Sequence, residues 1–350
     1  MYKEKINLVL APSTKILIVS DVHLQLPITK ELEMIEGSLI NRIQELSKSR
    51  SAVLVLNGDI LELWGNKDQS VADIIQGFSK LTAAIDTFAK SKSHKVIYTV
   101  GNHDDIVSKS KAEQKALIKF WKAEICRTLD FKIGKKDIRI EHGHESDSYN
   151  ATSLQDEPRG KKLVQNTLPV LLGTMPSLFV GIGDVVNRSL LPSFVLSNLA
   201  YKIVAPICIP LVFIISLSIS LYTGDGRYWQ SAIVVTAFLW ALFLITDVIL
   251  RFIASFALGG GSKYMKKVDK YQKDEKFDTI IYGHTHQGLI EKRPGYTYAN
   301  SGCNDIVAFP KIGWMGLIKF NRFLQLSNIT IDLSKKDYLK YHQEIVPLVE

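Results

Sequence analysis

The chain has 350 residues, 46% hydrophobic and 22% charged. This excludes a mainly disordered, collagen-like or low-complexity polymer and leaves room for about two domains, or one large domain with an insertion. Its net charge of +8 lies in scattered basic segments (108–122, 159–162, 263–276 and around Lys311). None interleaves aromatic residues as a nucleic-acid surface would, so nucleic acid is not expected as a partner. Cys126, Cys208 and Cys303 are odd in number, widely spaced and form no C-x-x-C pair, which argues against a disulfide framework or thiolate zinc site and for a reducing compartment. The apolar run before Pro12 is too short for a signal-peptide core, so export is not expected.

In chain order, KILIVS (15–20), AVLVLN (52–57), KVIYTV (95–100), IRIE (138–141) and DTIIY (278–282) are compact, β-branched-rich runs that read as strands. Helical periodicity predicts helices over 28–49 and 71–91 between the first of them. Alternation of this kind implies an α/β sheet. YTYAN (296–300) and the stretch from Trp314 to Leu333 add strands, expected to form a second sheet.

Between the fourth and fifth strands lies a long apolar insertion. Residues 163–200 are apolar but broken by prolines and glycines, which fits either interfacial cap helices or a buried helical subdomain. Ile203 to Tyr222 carries no charge, and at 1.5 Å per residue covers about 30 Å, a bilayer's hydrocarbon thickness. A second apolar run, 228–250, follows the polar turn Thr223 to Arg227. Two transmembrane spans with both termini cytoplasmic are expected, since Lys202, Arg251, Lys263, Lys266 and Lys267 flank the outer ends. A helical pair buried in a soluble core is the alternative. The expected division is 1–162 for the first part of the α/β domain, 163–262 for the insertion, and 263–350 for the second part. That places the α/β domain on the cytoplasmic side of a two-span membrane protein.

Each of the five strand-like runs ends in metal-ligand chemistry: Asp21 and His23 in DVH, Asp59 in NGD, Asn102 and His103 in GNHD, His142 and His144 in HGH, and His284 and His286 in GHTH. Open α/β sheets bind ligands at the carboxyl ends of their strands, so these distant residues are expected to converge on one site. The set exceeds what one tetrahedral ion needs. Its mixed nitrogen and oxygen donors suit a pair of divalent ions, with Mn2+ the first expectation and Fe, Zn2+ or Ni2+ the alternatives. His94 and His342 fall outside the pattern and read as surface residues.

The ordered set DVH, GD, GNHD, HGH, GHTH resembles the signature of calcineurin-like metallophosphoesterases. The resemblance implies a four-layer αββα sandwich of two mixed sheets, here interrupted by the helical insertion. It implies that Asp21, His23 and His286 hold one ion, that Asn102, His142 and His284 hold the other, and that Asp59 bridges them. A metal-bridging hydroxide would attack phosphorus, with His103 off the metals near the leaving group. His144 is expected to contact substrate phosphate or line the mouth.

GDILELW (58–64) further resembles an element of the UDP-2,3-diacylglucosamine hydrolases, whose corresponding insertion caps acyl chains. On that resemblance Glu62 and Trp64 join the substrate residues, and the substrate is expected to be a phosphorylated lipid or nucleotide-lipid cleaved at a phosphoester or pyrophosphate bond. Three departures stand against it: GNHD where that branch carries GNRD, HGH for HGD, and NSGC (300–303) for N-x-G-S. The alternatives are a soluble phosphodiester, nucleotide or phosphoprotein substrate with the hairpin only an anchor, or an inactive membrane scaffold.

Overall fold

The computed structural model describes residues 1–64, 68–147, 150–153, 157–162, 200–225, 227–241, 261–312 and 318–348. It divides into two compact units, one of residues 1–188, 262–307 and 322–350 and the other of 189–261 and 308–321. The expected segment 163–199, including its cap helices, lies outside the described residues.

The strands in chain order are β1 (Lys3–Leu8), β2 (Lys15–Val19), β3 (Ala52–Asn57), β4 (His94–Thr99), β5 (Glu124–Ile133), β6 (Lys136–Glu141), β7 (Thr279–Tyr282), β8 (Leu289–Arg293), β9 (Tyr296–Asn300), β10 (Asn304–Ile312), β11 (Ile318–Asp332) and β12 (Leu339–Pro347). The helices are α1 (Lys30–Ser47), α2 (Val71–Gly77), α3 (Ser79–Ala89), α4 (Ile106–Lys109), α5 (Lys111–Trp121), α6 (Arg159–Lys162), α7 (Ala200–Thr223) and α8 (Gly261–Glu275).

The two sheets expected from the resemblance are a single hydrogen-bonded path, β10-β11-β2-β3-β4-β5-β6-β7-β9-β8, with β1 on β5 and β12 on β11. The physical reason lies at the centre. β5 pairs in parallel with β4 and antiparallel with β6, and β6 then pairs in parallel with β7, so no edge is left open between the halves. The sheet curls instead of splitting. Ile16, Ile18, Val53 and Val55 of the first half share one buried cluster with Ile138, Ile140, Ile281 and Ala299 of the second.

Alternation along each strand sends the other side chains outward. Leu17, Val19, Leu54 and Leu56 pack under α1, α3 and α5, and Ile280, Tyr282 and Tyr298 pack under Tyr264 and Val268 of α8. β3 is buried at every position, and each fully buried Val or Leu contributes about 1.5–3 kcal/mol. That is why these runs read as continuous apolar strands.

Helix α1 forms where Thr29 caps the N-terminus and Glu31 and Glu33 face its positive end. Leu32, Ile35, Leu39, Ile43 and Leu46 make one buried stripe. The helix expected over 71–91 is instead two, α2 and α3, broken at Phe78, whose backbone leaves the helical region at ψ 56° while its ring is fully buried. Gly77 permits this approach, because a Cβ there would meet Leu26 at 2.6 Å. Strands β1, β5, β8, β10 and β12 are not among the runs read from the sequence; β12 alternates too weakly, being mostly exposed.

In the second unit α7 and a further helical stretch, 227–241, flank the polar turn. Among the described residues no helix is long and apolar enough to cross a membrane. The side chains of α7 are described only from Ile209 onward and 242–260 lie outside the description, so neither expected span, 203–222 or 228–250, is covered in full. Apolar side chains that are described there stand exposed, among them Ile214 at 56%, Val234 at 68% and Phe238 at 65%.

Candidate metal centre

The expected ligands sit on short loops immediately after β2, β3, β4, β6 and β7. Asp21, His23, Asp59, His284 and His286 all have φ between 51° and 66°. Left-handed backbone at a non-glycine residue costs about 1–3 kcal/mol, and its concentration on the polar residues of one region is the pattern of a functional site. Hydrogen bonds between loops hold these conformations. The backbone N–H of Asp21 donates to Gly58 O at 3.1 Å, those of Val22 and His23 to Asp59 O at 2.9 and 3.1 Å, and that of Gly283 to His142 O at 3.1 Å. Space is equally constrained. A Cβ on Gly101 would lie 2.1 Å from Asp59 Oδ1, and one on Gly58 2.5 Å from the His142 ring.

Three groups of donors each converge within 4.8 Å: Asp21, His23 and His286; Asp59, His142 and His284; and His23, Glu62 and His103. His286 Nε2 is 3.2 Å from Asp21 Oδ1, and His142 Nε2 is 3.0 Å from Asp59 Oδ2. Asn102 joins the second group, its Oδ1 3.2 Å from His142 Nε2. Two bonds of about 2.0–2.2 Å to one metal span up to about 4.4 Å; the first two groups, with donors within 4.8 Å of one another, come near that span and have the donor types that divalent ions take. His286 Nδ1 is buried without a hydrogen-bond partner, as suits a ring oriented by something other than a protein partner at that atom. The third group contains the Glu62–His103 pair and is already satisfied by its own hydrogen bonds.

The electrostatics belong to a site built for cations. Burial by itself would raise the Asp59 carboxyl, but the imidazoles of His142 and His103 outweigh it and hold it well below the usual carboxylate range. Asp21 is lowered likewise, by His286 and His142 against burial. His23, which burial would lower, is pushed up to about 10 by Glu62 and Asp59. His142 reaches about 9 through Asp59 and Asp21.

His103 stands beside the ligand groups. Its backbone N–H donates to Asp59 Oδ1 at 2.8 Å, its Nδ1 lies 2.6 Å from Glu62 Oε2, and the Trp64 ring stacks on it at 4.0 Å. Glu62 also meets His23 Nδ1 at 3.2 Å, and its second oxygen accepts the Trp64 backbone N–H at 2.8 Å. His144 is buried, with Nε2 3.1 Å from Thr152 Oγ1 and its ring 5.4 Å from that of His142. It belongs to none of the donor groups among the described residues. His94, expected at the surface, is half-buried, its ring nitrogens 3.1 Å from Phe88 O and 2.9 Å from Ser49 O.

Sequence reasoning passed over three supports. Asp104, the last letter of GNHD, accepts from the Gly101 N–H at 2.7 Å, the Ile60 N–H at 3.0 Å and the Tyr98 hydroxyl, so it ties the β4 loop to the β3 loop. Asn304 donates to Ser20 O and receives Arg42 of α1 on its Oδ1. Asp147 lies 3.2 Å from His284. Only Asp104 had a signal, its place in the motif. A surface groove of about 640 Å3 near Arg42 and His342 contains none of the expected ligands.

Residues 14–172 match the model of the calcineurin-like phosphoesterase family. No curated protein matches the sequence. Among solved structures, a dimetal phosphatase from Danio rerio is 10% identical, with 96% of this chain and 99% of that chain covered and a TM-score of 0.38. An archaeal phosphodiesterase is 12% identical, with 95% and 99% covered and a TM-score of 0.36. Vps29 of Entamoeba histolytica in complex with zinc is 12% identical, with 95% and 98% covered and a TM-score of 0.29. At these scores the assignment rests on the family match and on the loop residues, and the structural likenesses add nothing to it.

Proposed function

We propose that this chain, which carries a calcineurin-like phosphoesterase domain and is a phosphoester hydrolase, uses two divalent ions to cleave a phosphoester or pyrophosphate bond of a lipid-linked substrate at a membrane face. The observation that carries the two-ion reading is the convergence of Asp21, His23 and His286 in one donor group and of Asp59, His142, His284 and Asn102 in another. Bound there, divalent ions supply Lewis acidity, a lowered water pKa and neutralisation of charge on the phosphoryl oxygens. Mn2+ is the ion we propose.

The chain's own residues do the rest. The loops after the strands hold the donors in place before any ligand arrives, so little reorganisation is left to the reaction step. His103 is held by Glu62 and Trp64 beside the ligands, where as imidazolium it can hydrogen-bond a phosphoryl oxygen or give its Nε2 proton to the departing oxygen and end as the neutral Nδ1–H ring. His144, buried next to His142, is the residue we assign to substrate contact.

The lipid-linked substrate and the membrane location draw on two features. Glu62 and Trp64 of the GDILELW element both meet His103, and the described apolar side chains of α7 and 227–241 are exposed in numbers unusual for a soluble surface. A soluble phosphodiester is the second reading. It is favoured by a histidine at position 103, where the lipid branch has arginine, a bidentate phosphate donor.

The deciding experiment is hydrolysis by Mn2+-loaded protein of a UDP-diacylglucosamine-type lipid, of bis-p-nitrophenyl phosphate and of p-nitrophenyl phosphate. Preference for the lipid supports the first reading. Turnover of the model diester at least as fast supports the second. Asp59→Ala and Asn102→Ala should each abolish hydrolysis, and activity surviving both changes would remove the two-ion centre.

A further inference from the structure

The loop after β6 supplies His142, and five residues later it places a carboxylate against another expected ligand. Asp147 is 5% exposed, and its Oδ2 lies 3.2 Å from Nε2 of His284. The loop fixes that carboxylate firmly. The Asp147 N–H donates to His144 O at 2.9 Å, its carbonyl accepts from the Ala151 N–H at 2.7 Å, and the Asn150 side-chain amide donates to the same Oδ2 at 2.7 Å. An ionised carboxylate only accepts, so against it His284 Nε2 carries the hydrogen between them.

The consequence is a fixed tautomer. With its proton on Nε2, His284 keeps a lone pair on Nδ1, and that is the atom left free to coordinate. The left-handed backbone of His284, at φ 66°, is held from its other side by its N–H donating to Asp21 at 3.1 Å. Asp147 itself belongs to no donor group among the described residues, which separates an orienting role from a ligating one.

We infer that Asp147 is a positioning residue for the metal centre: it orients His284 and selects the tautomer that binds the ion shared with Asp59, Asn102 and His142. This rests on the proposal that His284 is a metal ligand. Histidines that bind metals through one nitrogen commonly donate the other N–H to a carboxylate, and loss of that partner costs about 10–100-fold in metal affinity. The loop thus serves one ion twice, with His142 directly and with Asp147 through His284.

The test is equilibrium binding of Mn2+ to full-length protein, read as ions retained per chain across a range of free metal, with thermal unfolding of the metal-free protein measured alongside. Wild type should bind two ions. Asp147→Ala should lower the affinity for one of them about 10–100-fold and leave the other unchanged. Asp147→Asn, whose amide oxygen still accepts the Nε2 hydrogen, should recover most of that loss. If Asp147→Ala does not fold, Asp147→Ser takes its place with the same expected loss, since its hydroxyl is too short to reach His284. Two ions bound by the Ala or Ser variant as tightly as by wild type, or both ions weakened equally with no recovery in Asp147→Asn, would overturn the role of Asp147 alone. A wild type that binds no ions would overturn this role and the two-ion centre together.

Discussion

Glu62 Oε2 lies 2.6 Å from His103 Nδ1, with both side chains buried and Trp64 stacked on the imidazole. Burial by itself would raise the Glu62 carboxyl, but His103, and after it His23, outweigh this and hold it well below the usual carboxylate range. Glu62 is therefore an anion at any pH at which the enzyme works. With Glu62 accepting the Nδ1 hydrogen, only a doubly protonated His103 has an Nε2 proton to give to the substrate, and a neutral ring would offer an Nε2 lone pair instead.

Glu62→Gln should accordingly lower kcat about 10–100-fold with little change in KM, and His103→Ala about 100-fold or more. The loss should grow as the leaving group becomes more basic and shrink for p-nitrophenol. Steady-state kinetics over a series of aryl and alkyl esters tests this, and a loss independent of the leaving group would remove His103 as proton donor.

Metal and protons compete for the same histidines. The folded-state values of about 10 for His23 and about 9 for His142 stand above the ordinary 6.5, so the metal-free fold binds protons that the unfolded chain releases. Their contribution to metal-free stability is complete below about pH 6.5 and is lost as pH rises through 9 and 10. Metal must displace these protons, so affinity for Mn2+ should increase with pH and binding at pH 7.5 should release protons. Calorimetric titration in two buffers of different ionisation enthalpy measures the release, and equal apparent heats would contradict it.

Two glycines should respond in opposite directions. A methyl at Gly101 would sit 2.1 Å from Asp59 Oδ1, so Gly101→Ala should destabilise by about 1–3 kcal/mol or more and reduce metal retention. Gly37, in α1, has nothing within 4 Å of the position a Cβ would occupy. Gly37→Ala should stabilise by about 0.5–1 kcal/mol without touching the site. Thermal unfolding and metal content of the two variants check both statements.

Removal of Asp104 should loosen two loops at once. Asp104→Ala leaves the N–H groups of Gly101 and Ile60 without their acceptor inside the protein, at about 1–3 kcal/mol each. The Asp104 carboxyl is pushed up to about 6, by burial and then by Asp59. Asp104→Asn keeps one acceptor oxygen and should lose less. A comparison of the two unfolding free energies settles the point, and equal losses would argue against the hydrogen-bond account.

Membrane attachment has a direct test. If the exposed side chains of α7 and 227–241 face lipid, expressed protein should stay in membranes washed with alkaline carbonate. Ile214→Lys combined with Val234→Lys should release it, since each lysine costs about 2.5–3.5 kcal/mol at the centre of a span. Wild-type protein recovered in the wash would end the membrane reading.

The donors at the strand ends were legible in the sequence because a buried strand is a continuous apolar run, and a polar ligand motif is conspicuous where that run stops. Residues 52–57 and 296–300 became β3 and β9 with the expected bounds, because alternation and β-branching act through neighbours in sequence. The break at Phe78, the curl that joins the two expected sheets and the mostly exposed β12 depend on packing between distant segments, and local periodicity carries no trace of that. The supports of the site divide the same way. Asp21, Asp59 and the histidines could be named as candidates from the motifs at the strand ends and the family those motifs resemble, but the contact of Asp147 with His284 spans 137 positions and that of Arg42 with Asn304 spans 262. A hydrogen bond across such a separation exists only once the loops have been brought together, so tertiary structure alone decides it.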